Sequence, residues 1–125
     1  MPKTVIPKTD TLTAVGPYSL AISLHDTLYV SGQIGIRQNQ LVQGGLAAEF
    51  NQIIQNLNEI LHQAGYQLSD IVQVTVYMAD IGQFEELNQI YQQHFRYPYP
   101  TRTTVQVAAL PLGASLEIAV IAAHL

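Results

Sequence analysis

Arg102 and Glu117 are the residues of this chain whose types and spacing could support chemistry. Arg102 begins the otherwise uncharged stretch "RTTVQV", and Glu117 follows fifteen positions later. A guanidinium can hold a carboxylate through two parallel hydrogen bonds, and a partly desolvated carboxylate can hold a water molecule and transfer protons. The pair therefore predicts a site for hydrolytic chemistry on an α-substituted carboxylic acid.

The same two residues could simply pair with each other. Opposite charges that are buried in a protein commonly form an ion pair. Residue spacing alone favours this structural pair over a ligand site, by about two to one on the general behaviour of buried charges.

Asn88 and Gly32 are weaker candidates. Asn88 interrupts the apolar stripe of a predicted helix, four residues after Phe84 and three before Tyr91. A buried amide needs partners, so a bond to nearby backbone and a ligand contact are about equally supported. Gly32 interrupts a good strand pattern, which indicates a β-bulge or a close approach of a ligand to the backbone, and the bulge is favoured.

Hydrophobic periodicity predicts the elements that must position these residues. Alternating apolar residues predict a strand within "TLYVSGQIGI" and a second strand, in which Val72, Val74, Val76 and Met78 share one face. Helical spacing predicts an amphipathic helix from Leu46 to Ala64, with Gly65 as its stop. Asp80 is expected to cap a second helix that ends before "YPYP", and two final strands are expected around 102–107 and 114–122.

The order of these elements predicts an α+β two-layer sandwich. We expect the last two strands to form an antiparallel hairpin that brings Arg102 and Glu117 roughly opposite each other. Strand alternation places both charges on the sheet face away from the helices, with the following residues on the core side: Thr103, Val105, Val107, Leu116, Ile118 and Val120. The opposite face carries Thr, Gln, Tyr and Ser and almost no Lys or Glu, so we expect it to pack against partner subunits.

Composition bounds the function classes. A chain of 125 residues predicts one domain, 1–125, and charged residues make up 11% of it against the roughly 25% that is usual, which favours an oligomer. The net charge of -4 and the scattered basic residues argue against nucleic-acid binding. There is no cysteine, no metal-ligand spacing among His25, His62, His94 and His124, and no phosphate-loop or cofactor motif. Without a signal peptide or an apolar run long enough to span a membrane, a cytoplasmic protein is expected.

Four stretches carry a resemblance to a known family. They are "GPYS" at 16–19, "VSGQIG" at 30–35, the asparagine and tyrosine of "LNQIYQQHF", and "PTRTTVQVAALPLGASLEIAVIA". Together they resemble the RidA/YjgF family of imine deaminases over nearly the whole chain. The resemblance implies a chorismate-mutase-like fold of the bacillus type, with two helices on one face of a mixed sheet, assembled as a homotrimer.

The resemblance also implies an activity and the residues for it. Family members hydrolyse reactive 2-imino acids, such as 2-iminobutanoate and 2-iminopropanoate, to 2-oxo acids and ammonia without a metal or an organic cofactor. Arg102 would then hold the substrate carboxylate and Glu117 would position the attacking water. Other residues would line a pocket drawn from two chains: Tyr18, Gly32, Asn88 and the backbone at Thr104. This agreement with strand alternation favours a ligand site over the structural ion pair.

Three positions depart from the family pattern, and other functions stay open. Thr104 stands where many members have cysteine, Leu112 stands where a lysine is frequent, and Ala119 replaces the second acid of a frequent "EIE". A trimer that binds or senses 2-oxo acids without turnover remains open, because carboxylate binding needs only Arg102. An endoribonuclease or translation inhibitor is disfavoured by the charge, and a pericyclic mutase by the single cation near the predicted site.

Overall fold

The structure is a computed structural model, and it describes residues 3–124. Two helices cover one face of a six-stranded mixed sheet. Its strands are β1 (Thr4–Ile6), β2 (Ala21–Leu24), β3 (Thr27–Gln33), β6 (Ile71–Met78), β7 (Thr101–Gln106) and β8 (Leu116–Ala123). They lie in the spatial order β1-β2-β3-β8-β6-β7. A separate small hairpin joins β4 (Ile36–Arg37) to β5 (Gln40–Leu41). The predicted α+β two-layer sandwich is confirmed.

Helix α1 (Gly45–Gln63) has the predicted position and length. Its apolar stripe is buried against the sheet, and Gly65 adopts a left-handed conformation with φ of 85° just beyond its end. Glycine tolerates that conformation without steric cost, which explains why the helix stops there.

Helix α2 (Phe84–His94) begins after a short 3₁₀ turn, Ile81–Gln83. Asp80 caps that turn by accepting a hydrogen bond from the backbone N–H of Gly82 at 2.8 Å. The predicted cap is therefore present, one turn before the α-helix proper. Leu87, Ile90 and Tyr91 face the core, whereas Phe84 is 38% exposed.

The predicted hairpin of the last two strands is wrong. β7 pairs in parallel with β6, and β8 pairs antiparallel with both β6 and β3, so β6 separates the two strands. Parallel neighbours need a long crossover, which α2 provides between β6 and β7. The more apolar β8 takes the central position, where both of its edges are paired and residues on both faces are at least partly covered.

The alternation in β6 is also interrupted near its start. Ile71 is buried, Val72 is 48% exposed, and the register shifts between residues 71 and 73. Val72 therefore does not share the core face with Val74, as the alternating pattern had predicted. From Val74 to Met78 the alternation is regular.

The face of the sheet opposite the helices carries few charges, as expected. Its central residues include Tyr29, Gln73, Thr75, Tyr77 and Ala119, and Glu117 is the acidic residue among the central strands. The described helices leave this face uncovered. We call it the open face.

Candidate active site

Glu117 lies on the open face near the start of β8. It is half-buried, and its neighbours Leu116 and Ile118 point into the core. Burial raises the pKa of the Glu117 carboxyl above its usual range, because a desolvated carboxylate loses the hydration of its charge. A carboxyl with a raised pKa is a stronger base than an ordinary glutamate, which suits it to take up and return a proton.

Gly32 provides the space that the Glu117 carboxyl occupies. A Cβ atom at Gly32 would lie 2.1 Å from Glu117 Oε2, which is far closer than any permitted contact. The register between β3 and β8 shifts between Val30 and Gln33, so the predicted bulge is confirmed, and Gln33 is buried in consequence. The bulge and the missing side chain together let β3 approach the carboxyl.

A cavity of about 470 Å³ opens beside this carboxyl. Glu117, Gly32 and Tyr18 line it, and Tyr18 is 49% exposed. Most of the remaining wall is apolar, with contributions from Leu12, Val15, Leu20, Ile34, Ile36, Pro111 and Leu112. Apolar surroundings lower the local dielectric constant and so strengthen electrostatic interactions of the carboxyl. We call Tyr18, Gly32 and Glu117 the acid half-site.

Arg102 lies on the other side of the sheet, so its predicted orientation is wrong. It pairs with Val74, a core-facing residue of β6, whereas its neighbours Thr101 and Thr103 pair with Gln73 and Thr75 on the open face. Directly paired residues point to the same face, so the Arg102 side chain lies on the helix side. The predicted orientation rested on a core position for Thr103, Val105 and Val107. Instead β7 is an edge strand with no fully buried residue, and Val105 pairs with Tyr77 on the open face and is 40% exposed.

Three side chains of helix α2 contact the Arg102 guanidinium, and we call them the cradle: Phe84, Asn88 and Tyr91. Nη2 donates a hydrogen bond to Asn88 Oδ1 at 2.7 Å, and the guanidinium carbon lies 4.8 Å from the Tyr91 ring centre and 5.5 Å from that of Phe84. A cation over aromatic faces is stabilised by the ring quadrupoles. Asn88 was expected to bond either to nearby backbone or to a ligand. Its side-chain oxygen instead accepts a hydrogen bond from Arg102.

Thr104 and Tyr91 carry polar atoms that remain unpaired within residues 3–124. The buried hydroxyls Thr104 Oγ1 and Tyr91 Oη have no hydrogen-bond partner there. Burial raises the pKa of Tyr91 to about 12, against a smaller lowering by the Arg102 charge, so this hydroxyl stays neutral. We call Asn88, Arg102 and Thr104 the arginine half-site.

The six predicted site residues thus form two groups on opposite faces of one sheet. Arg102 lies beside Val74 and Glu117 beside Tyr77 of β6, so their Cα atoms are roughly 14 Å apart by strand rise and spacing. Their side chains point in opposite directions. Within one chain, the structural ion pair between Arg102 and Glu117 is therefore excluded.

The histidines lie apart from both half-sites. His25, His62 and His124 are exposed, whereas His94 is half-buried against the Phe50 ring at 5.1 Å between ring centres. Burial lowers the pKa of His94, and the ring of His124 stacks on Tyr66. Residues 3–124 contain no group of three His, Asp or Glu side chains that could hold a metal ion. None of the helices described in that range is long and apolar enough to cross a membrane.

Comparison with known proteins identifies the family. A family model described as endoribonuclease L-PSP matches residues 8–124. A human protein named 2-iminobutanoate/2-iminopropanoate deaminase is 46% identical over 111 residues, which cover 87% of this chain and 81% of the human protein. The chain belongs to the RidA/YjgF family.

Two solved structures share the fold of this chain. RidA from the Antarctic bacterium Psychrobacter sp. PAMC 21119 superposes with a TM-score of 0.91 at 36% identity, over 97% of this chain and 99% of the other. TdcF from E. coli, solved with bound serine, superposes with a TM-score of 0.88 at 30% identity, over 98% and 99% of the two chains.

Sequence interpretation of this RidA/YjgF chain overlooked two side chains that contact Arg102. Phe84 and Tyr91 were assigned only to the core, although with Asn88 they recur at intervals of four and three residues. That spacing places all three on one helical stripe. An aromatic-amide-aromatic stripe on the helix that crosses over to an arginine strand is the signal that could have identified the cradle.

Proposed function

We propose that this chain hydrolyses reactive 2-imino acids, such as 2-iminobutanoate and 2-iminopropanoate, to 2-oxo acids and ammonia. The observation that carries the proposal is the desolvated Glu117 carboxyl, set against Gly32 in an apolar cavity. The deaminase name of the human relative supports the same activity.

Arg102 is the proposed carboxylate-binding residue. A guanidinium has five N–H donors, and the bond to Asn88 engages one nitrogen, so a bidentate contact with a ligand carboxylate remains available. The serine-bound relative TdcF supports a small carboxylic acid as the ligand class. Asn88 and the rings of Phe84 and Tyr91 hold the guanidinium before the ligand arrives, which lowers the entropy cost of binding.

Glu117 is the proposed acid-base residue. Its carboxylate takes a proton from water as the water oxygen bonds to the iminium carbon, and a neutral carbinolamine forms. The resulting carboxylic acid returns that proton to the amine nitrogen. The C–N bond then breaks and ammonia leaves. The Glu117 carboxylate accepts the hydroxyl proton as the carbonyl forms and passes it to ammonia, so that iminium and water give 2-oxo acid and ammonium.

The working site requires two copies of the chain. Because Arg102 and Glu117 face opposite ways within one chain, we propose that the arginine half-site of one subunit meets the acid half-site of its neighbour. The proposed unit is one domain, 1–125, in a homotrimer with three such sites. The charge-poor open face supplies a surface suited to burial between subunits. We further propose a cytoplasmic location and a function that needs no nucleic acid, in keeping with the net charge of -4.

The lifetime of an imine tests this function. An amino-acid oxidase generates 2-iminopropanoate in the presence of the purified protein, and loss of the imine is followed by trapping. The wild type should shorten the lifetime, whereas Arg102→Ala should not, although its oligomeric state is retained. A wild type that binds 2-oxobutanoate but leaves the lifetime unchanged would support a binding or sensing protein instead.

A further inference from the structure

Helix α1 carries a stripe of polar side chains beside its apolar one. Its members recur at alternating intervals of three and four residues, which places them on one helical face: Glu49, Gln52, Asn56, Glu59 and Gln63. We call this set the polar stripe. Glu49 and Asn56 are each only 4% exposed, and Gln52 is 9% exposed. Burying an amide or a carboxylate is costly unless it is hydrogen-bonded, so the partners of the stripe define its role.

The first partner is the segment that leads into Glu117. Glu49 Oε1 accepts a hydrogen bond from the backbone N–H of Ser115 at 2.8 Å. The Ser115 carbonyl accepts in turn from the backbone N–H of Ala79 at 3.0 Å. Residue 115 is therefore fixed from two sides, just two positions before the carboxyl of the acid half-site.

The second partner is the segment that follows Gly32. The Asn56 side-chain amide donates to the carbonyls of Ile34 and Ile36 at 3.4 and 3.0 Å, and both isoleucines line the cavity. The Asn56 oxygen accepts from Gln52 Nε2 at 2.9 Å, which orients the amide. Gly35 packs so closely on this helix that an added Cβ would lie 2.9 Å from Glu49 Cα.

The third partner is the segment that precedes Tyr18. The hydroxyls of Thr9 and Thr11 both donate to Glu59 Oε2, the second at 2.6 Å. Gln63 Nε2 donates to the Lys8 carbonyl at 3.0 Å. Thr11 and the adjacent Leu12 line the cavity, so the outer end of the polar stripe holds that wall.

We infer that the polar stripe of α1 is the positioning element of the acid half-site, because it fixes by hydrogen bonds the three separate chain segments that wall the cavity. Apolar contacts are non-directional, whereas hydrogen bonds to backbone groups set the position and orientation of irregular segments. The stripe residues act through other residues, so they are positioning residues for Glu117 and the cavity. The activity measurements below rest on the proposed function.

Asn56→Ala tests the inference, with Asn58→Ala as the matched control, since Asn58 is an exposed asparagine on the same helix. At a temperature where both variants are fully folded, Asn56→Ala should lower kcat/KM by about 10- to 100-fold, because small displacements of catalytic groups have effects of that order. Amide hydrogen exchange should become faster in residues 33–37 of Asn56→Ala and not across the whole sheet. Asn58→Ala should match the wild type in both measurements.

Glu49 provides a second test that does not depend on how well Asn56→Ala folds. Glu49→Gln keeps an oxygen acceptor for Ser115 and should retain activity, whereas Glu49→Ala should lose it mainly through kcat. A stripe that only stabilises the fold would lower the melting temperature of Asn56→Ala and Glu49→Ala while leaving kcat and KM of the folded protein unchanged, and this result would overturn the inference. If the wild type hydrolyses no imine, the proposed function fails, and the exchange measurement alone decides on the stripe.

Discussion

At the scale of single residues, the contact between Gly32 and the Glu117 carboxyl is the tightest constraint on the candidate site. Any side chain at position 32 would displace the carboxyl, since its Cβ would lie 2.1 Å from Oε2. The absence of a side chain is therefore as much a requirement of the site as the acid itself.

Replacement of Gly32 by alanine should reduce turnover by moving Glu117. We expect kcat to fall by about 100-fold, the lower end of the effect of an acid-base group, with a smaller change in the affinity for 2-oxobutanoate. The control is a double-mutant cycle with Glu117→Gln. If Gly32→Ala lowers the residual rate of Glu117→Gln by the same factor as in the wild type, its effect does not pass through the carboxyl.

The raised pKa of Glu117 predicts how activity and stability respond to pH. The base form is populated only above that pKa, so kcat/KM should fall with acid at a pH above the ordinary glutamate value of about 4.3. This fall is the acidic limb of the pH profile of imine hydrolysis, and it is measured after correction for the uncatalysed rate. An acidic limb centred at or below the ordinary value would contradict the assignment.

Acid should lower the activity, but it should raise the contribution of Glu117 to the free energy of unfolding. A carboxyl whose pKa is raised in the folded state favours folding in its protonated form, and this contribution is lost as pH rises through the folded pKa. Glu117→Gln should therefore melt at or above the wild-type temperature at neutral pH, and the difference should vanish in acid. Thermal melts at both pH values check it, and a lower melting temperature for the variant at neutral pH would contradict it.

At the scale of elements, α2 is the support for the arginine half-site. Asn88 binds the guanidinium, and the rings of Tyr91 and Phe84 lie against it. In the proposed function the helix acts on the ligand through Arg102, which separates its role from that of the apolar core residues Leu87 and Ile90.

Tyr91 variants measure the contribution of the cradle. Tyr91→Phe keeps the ring and removes a hydroxyl without a protein partner in the described chain, so affinity for 2-oxobutanoate should be unchanged. Tyr91→Leu removes the aromatic face and should weaken binding by about 2- to 30-fold, the range expected for a cation-π contact. Calorimetry of both variants gives the comparison. Equal affinities for Tyr91→Phe and Tyr91→Leu would show that the ring face does not matter.

Sequence periodicity predicted the helices, the apolar face of β6 from Val74 onward, that of β8, and the bulge at Gly32, because each depends on local pattern. It misplaced Arg102, because edge strand β7 has no fully buried residue from which to count alternation. It also missed the insertion of β6 between β7 and β8, since strand order depends on long-range pairing and not on loop length. The polar stripe of α1 was likewise overlooked, because the stronger apolar stripe beside it accounted for the helix.

At the scale of the whole molecule, the candidate site is divided into two half-sites that do not meet within one chain. The open face carries Thr, Gln and Tyr, and Glu117 on that face belongs to the acid half-site. A protein whose candidate site is divided between opposite faces of one sheet can complete that site only by assembly. The proposed chemistry therefore requires at least two chains to meet, as they would in the proposed trimer.

Subunit complementation tests this central claim most directly. Arg102→Ala and Glu117→Gln, each expected to retain at most about a hundredth of wild-type activity alone, are unfolded together in equal amounts and refolded into mixed oligomers. With one half-site from each of two chains, random assembly leaves about a quarter of the interfaces with both wild-type residues, so about a quarter of wild-type activity should return. If the mixture stays as inactive as either parent although mixed oligomers have formed, Arg102 and Glu117 do not meet across subunits and the account is contradicted.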